Sequence, residues 1–113
     1  MDIHLVTRHL DRTLNLVDYA QRRAALAFAR FGAVVGGLDI RLSDVNGPRG
    51  GTGIACLARL HLVNGGEILV EGTANSPEEG IAVTISRLVN RLRRIASRRQ
   101  DHHHPATQTR ILS

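Results

Sequence analysis

Ile54-Ala55-Cys56-Leu57-Ala58-Arg59-Leu60-His61-Leu62-Val63-Asn64-Gly65-Gly66-Glu67-Ile68-Leu69-Val70-Glu71-Gly72-Thr73 holds two alternating runs around one turn. Along a strand, successive side chains point to opposite faces, so a period of two sorts residues into an inside and an outside. Ile54, Cys56, Ala58, Leu60 and Leu62 share one face, and Arg59 and His61 take the other. After Asn64-Gly65-Gly66, where the glycines can take positive φ, Glu67 to Thr73 returns with Ile68 and Val70 on the apolar face. This is an antiparallel hairpin with one dry side and one wet side.

Working outward, the same alternation precedes the hairpin. From Gly36 to Val45, Leu38, Ile40 and Leu42 oppose Asp39, Arg41 and Ser43. The connection Asn46 to Gly53 is glycine-rich and is expected to be mobile. Ile3 to Thr7 reads as a first short strand, with Ile3 and Leu5 on one side and His4 on the other. Between about Arg12 and Phe31 the period turns helical. Leu16, Val17, Ala20, Ala24, Ala27, Phe28 and Phe31 fall in an arc of roughly 120°. Asp11 or Thr13 is expected to cap this helix and Gly32 to end it.

A second helix is expected from Ser76 as cap and Pro77 as first-turn residue, with Glu78 and Glu79 at the positive end of the dipole. Ile81, Ile85, Leu88, Leu92 and Ile95 step by four, three, four and three, which makes a core stripe. The expectation is an α+β fold: a two-layer βαβββα sandwich with a four-stranded sheet and both helices on one face. Strand, helix and strand form a crossover that should return parallel and right-handed. Residues 1–100 form one domain on this reading, and Asp101 to Ser113, His-rich and without apolar period, form a disordered tail.

The chain has 113 residues and a net charge of +5, and all fifteen basic residues are arginine. A planar guanidinium grips phosphate in a two-pronged way that an ammonium cannot. Six of these arginines lie between Arg87 and Arg99 with no acid among them. Arg87, Arg91, Arg94 and Arg98 share one arc, where like charges a turn apart destabilise the helix that carries them. A stripe that costs stability points to an anion outside the chain. Arg22, Arg23 and Arg30 on the first helix extend that surface, although Asp18 stands one turn from Arg22 and is placed to pair with it. All seven are candidate phosphate ligands for a polyanion such as RNA. With strand aromatics absent, recognition should run through phosphate, ribose and shape.

Other chemistry finds little support in the residues. One cysteine, Cys56, allows no internal disulfide and alternates with core residues. Gly47-Pro48-Arg49-Gly50 joins two strands instead of two helices, and without lysine no phosphate-binding loop of the Walker type exists. His102, His103 and His104 are adjacent residues that do not converge on one ion, so no metal or cofactor is expected. His4 and His61 fall on the open sheet face without a nucleophile beside them. The expectation is a non-enzymatic, cytoplasmic protein without a membrane segment, of open oligomeric state.

The element order and two segments resemble the ribosome hibernation-promoting factor and ribosome-associated inhibitor family. Leu60-His61-Leu62-Val63-Asn64-Gly65-Gly66-Glu67-Ile68 is similar to the family's LHVNGGEI with one extra residue, and Leu88 to Arg94 is similar to LIDKLARQ. Aromatic closure of the first helix at Phe31 fits as well. The likeness spans about residues 1 to 100. It departs where the family carries an acidic-x-tyrosine motif, since Gly80-Ile81-Ala82 stands there. The separate dimerisation domain of long members is not expected. The resemblance implies a factor that binds the small ribosomal subunit and its RNA in the mRNA/tRNA channel and holds translation idle under stress. A protein-interaction module working through an open strand edge is the alternative.

Overall fold

A computed structural model describes residues 1–8, 10, 15–45 and 53–103, with side chains through Ile95. The order is β1 (Asp2–Arg8), α1 (Leu16–Ala27), a 3₁₀ turn (Ala29–Phe31), β2 (Val35–Asp44), β3 (Ile54–Leu62), β4 (Glu67–Ala74) and α2 (Pro77–His103). The strands lie in the order β1-β2-β3-β4. β1 runs parallel to β2, with Leu5 beside Ile40, and the other two pairings are antiparallel. This is the α+β arrangement that the alternation and the helical stripes call for.

Period two decides the inside of the sheet. Leu38, Ile40 and Leu42 of β2, Cys56, Ala58 and Leu60 of β3, and Ile68 and Val70 of β4 are all buried. From α1 they meet Leu16, Ala20, Ala24 and Phe28, and from α2 Ile81, Ile85, Leu88 and Leu92, in one apolar cluster. The two helices touch each other as well as this face of the sheet. Leu88 is fully buried, so Leu88→Ala should cost about 2–5 kcal/mol. Thr84 is the one buried polar side chain among the described residues. Its hydroxyl donates back to the Gly80 and Ile81 carbonyls at 3.0 and 3.1 Å and is satisfied within the helix.

The hairpin turn is a three-residue loop. Gly65 N donates to Leu62 O at 3.0 Å, Leu62 N to Gly66 O at 2.8 Å, and Asn64 Oδ1 accepts from Gly66 N at 2.9 Å. Of the two glycines in the turn, only Gly65 takes positive φ, +98°. The pattern is a turn closed by a left-handed residue, a common three-residue hairpin, in which one glycine suffices. On β2 the register shifts between Val35 and Gly37, so Gly36 is a bulge residue.

The ends of the helices differ from expectation in three places. The described part of α1 begins later, with Asn15 as cap, its Oδ1 accepting from Asp18 N at 3.3 Å; Asp11, Arg12 and Thr13 lie outside the described residues. Its α-helix stops at Ala27, and Gly32 ends the 3₁₀ turn that follows. Phe28 N still bonds Ala24 O, while Phe31 N bonds Phe28 O, so the chain tightens before it turns into β2. Val17, placed on the apolar arc, is 41% exposed. At the other end α2 continues to His103, so Asp101 to His103 are helical; residues 104–113, like the connection 46–52, lie outside the described residues.

The start of α2 matches its sequence signals. Ser76 Oγ accepts from Glu79 N at 3.1 Å, and Glu79 Oε1 accepts from Asn75 N at 2.7 Å. The reciprocal pair satisfies amides that the helix leaves open. Gly80 sits where the helix meets the sheet: a Cβ there would lie 2.5 Å from Cys56 Sγ and 3.3 Å from Leu42 Cδ2. An acidic side chain, which the family resemblance would put at this position, has no room in this packing.

Candidate nucleic-acid interface

Helix α2 has its core stripe against the sheet, and its outer half carries arginine on two flanks. Toward β4, Arg87, Arg91 and Arg94 line a groove of about 320 Å³ with Leu69, Val70, Glu71 and Asn90. Toward α1, Arg93 lines a second groove of about 360 Å³ with Arg23 and Arg30. Asn90 borders both grooves and marks the ridge between them. Residues three and four apart share a face, and Arg93 sits three past Asn90 on the side opposite Arg94, so the split follows from helical geometry.

The candidate arginines are not equivalent. Arg91, Arg93, Arg94, Arg23 and Arg30 are exposed and make no ion pair with another described residue. Arg22 is paired, its Nε 3.2 Å from Asp18 Oδ2 one turn back. Arg87 reaches across to β4 and donates to the Glu71 carbonyl. Gly72 makes room for it, since a Cβ on Gly72 would stand 2.9 Å from the Arg87 Nη1. The side chain of Arg98 lies outside the described residues. The structure therefore gathers Arg91 and Arg94 on one flank and Arg23, Arg30 and Arg93 on the other, with Arg22 and Arg87 held by protein groups.

Arg93 was visible in the sequence only as an additional charge, outside the stripe of four. Its signal is positional: it belongs to the flank facing α1, where Arg23 and Arg30 arrive from a different element. Leu26, exposed to 81%, and Phe31 line the same groove. No sequence pattern announced that an exposed leucine would stand among those arginines.

The open sheet face has a different electrostatic character. His61 joins two strands, with Nε2 2.9 Å from Asp39 Oδ2 and Nδ1 3.1 Å from Glu67 Oε2. Arg59 Nε lies 3.6 Å from Glu67 Oε1. These contacts run across β2, β3 and β4 and give the carboxylates of Asp39 and Glu67 protein partners. His4, Val6, Asp39, Arg41, Leu57 and Arg59 surround a shallow depression of about 230 Å³. Among the described residues no three His, Cys, Asp or Glu side chains come together as a metal site. Cys56 is buried, and burial pushes its thiol above the ordinary 9.0; the charge of Glu79 adds to this and that of Arg87 opposes it. No described helix is long and apolar enough to cross a membrane.

With two helices on one face of a β1-β2-β3-β4 sheet, comparison with solved structures decides the fold. A ribosomal subunit interface protein from Coxiella burnetii superposes with a TM-score of 0.71, over 86% of this chain and 99% of that one, at 11% identity. The chain has the fold of that ribosomal subunit interface protein. The N-terminal domain of Protein Y from Thermus thermophilus superposes with a TM-score of 0.68, at 23% identity over 84% of this chain and 99% of that one. No protein-family profile matches the sequence, and no curated protein does. The fold is thus shared with little of the sequence in common, and in this chain two grooves beside α2 are lined by arginine.

Proposed function

We propose that this protein is a ribosome-associated factor of the hibernation type, which binds small-subunit ribosomal RNA through its helical face and blocks translation by occupying the mRNA/tRNA channel. The observation that carries this reading is the set of five exposed arginines on α1 and α2 that have no acidic partner among the described residues. Unpaired like charges on one helix destabilise it, and phosphates arriving from outside relieve that repulsion. The likeness of fold to a ribosomal subunit interface protein supports the ribosome as the source of those phosphates. No chemical step is needed, because occupancy alone excludes mRNA and tRNA. In this reading the protein works in the cytoplasm, where ribosomes are.

Arg91 and Arg94 act as phosphate ligands on one flank, and Arg23, Arg30 and Arg93 on the other. Arg98, four residues beyond Arg94 in the sequence, is a further candidate ligand. Arg22 and Arg87 bind RNA less directly, since each must first give up a protein partner. The rival reading through an open strand edge meets an obstacle on β4, where Arg87 already occupies the Glu71 carbonyl. Sucrose-gradient sedimentation tests the proposal: the protein should travel with small subunits at low salt, and Arg91→Glu combined with Arg94→Glu should return it to the top of the gradient with its circular dichroism unchanged. Continued travel of that double variant with the small subunit would refute the assignment of these two residues.

A further inference from the structure

The groove between α1 and α2 has a composition that phosphate binding alone does not explain. Its lining includes three guanidinium groups, Arg23, Arg30 and Arg93, together with the apolar side chains of Leu26, Phe31 and Val89. Leu26 is exposed to 81%, although a leucine side chain gains on the order of 1.5–3 kcal/mol when taken out of water. Phe31, one of only three aromatic residues in the chain, is half-buried at the end of the 3₁₀ turn, with part of its surface open to the groove. Ser86 and Asn90 add a hydroxyl and an amide at the α2 edge. The groove facing β4 also combines arginines and Asn90 with an exposed leucine, Leu69, but it has no aromatic ring and it includes the carboxylate residue Glu71.

Resting on the RNA-binding reading, we infer that the α1–α2 groove takes a single unpaired nucleotide, a bulged or extruded base of the bound RNA, and that the flanking phosphates lie on Arg23, Arg30 and Arg93. A planar base has two apolar faces and a polar edge, and its neighbouring phosphates are anionic. The groove brings together apolar side chains, a hydroxyl and an amide from α2, and three guanidinium groups without an ion pair to another described residue. Its volume of about 360 Å³ is at the small end of ligand sites, which run from roughly 300 Å³, and this suits one base better than a longer single strand. An acidic protein helix would also meet the charge, and its binding is one of the outcomes that would overturn the inference.

The test compares the full chain on two RNA hairpins, one fully paired and one with a single bulged nucleotide in an otherwise identical stem. The bulged hairpin should bind roughly 10-fold more tightly, the scale set by stacking one base on protein side chains. An abasic residue at the bulge should remove the preference. Leu26→Ser, a change at an exposed position that leaves the core intact, should abolish the preference and leave affinity for the paired hairpin unchanged. Equal affinity for both hairpins overturns the inference and leaves the phosphate reading standing; salt-sensitive binding of neither overturns both. Tighter binding of an acidic, leucine-rich helical peptide than of either RNA overturns it in favour of a protein partner. Competition by adenosine monophosphate at micromolar concentration overturns it in favour of a free nucleotide.

Discussion

Arg87 and Arg91 are one turn apart and chemically identical, yet the structure gives them different work. Arg87 donates to the Glu71 carbonyl over the bare backbone of Gly72, whereas Arg91 has no ion-pair partner among the described residues. Arg87→Gln should therefore lower stability by about 1 kcal/mol, a bond to a charged donor discounted for its exposure, and change the salt dependence of RNA binding less than loss of Arg91 does. Arg91→Gln should do the reverse, reducing the log–log salt slope by about 1 with little change in stability. Urea unfolding and a salt titration on both variants separate the two roles. Cys56 allows a pH prediction from its raised thiol pKa. The unfolded thiol ionises first, so the folded state keeps its full stability below about 9 and loses it as pH rises from there toward the folded value. Cys56→Ser, whose hydroxyl does not ionise, should flatten that alkaline loss in urea midpoints measured from neutral pH to 10.

At the scale of elements, small residues decide where α2 can lie. The β3 position facing its first turn is Cys56, and Gly80 passes above it without room for a Cβ. Gly80→Ala should destabilise the fold by about 1–3 kcal/mol through overpacking, and Cys56→Ala in the same chain should recover most of that loss, as a double-mutant cycle would read. Gly65→Ala is a different kind of change. Nothing stands within 4 Å of the new methyl, but φ is +98°, so the cost is backbone strain alone, about 1 kcal/mol. Much of this level was legible in the sequence. Alternation located β2, β3 and β4, because burial on one face leaves an imprint with a period of two. The Ser76-Pro77-Glu78-Glu79 signal located α2, because caps depend on neighbours in the chain. The end of α1 was not legible in the same way: Ala27 to Phe31 keeps apolar periodicity while the backbone tightens to 3₁₀, and periodicity does not register that change. The Gly80–Cys56 contact was also hidden, since it joins residues far apart in sequence.

The whole molecule has two faces of unlike charge. On the helical side, unpaired guanidinium groups of α1 and α2 line two grooves; on the sheet side, Asp39, His61, Glu67 and Arg59 pair across strands. The arginine stripe of α2 could be read from the sequence because it lies on one element. Its partition between two grooves could not, because it depends on where α1 and β4 settle beside it, and Arg93 acquires its company only through packing. A molecule of this kind should orient on a polyanion by one side. The direct measurement is its affinity for purified small ribosomal subunits between about 50 and 200 mM salt. If Arg23, Arg30, Arg91, Arg93 and Arg94 each displace counterions from one phosphate, the log–log slope should be about −4, a loss of roughly 250-fold over that range. A slope near zero at measurable affinity would contradict the account.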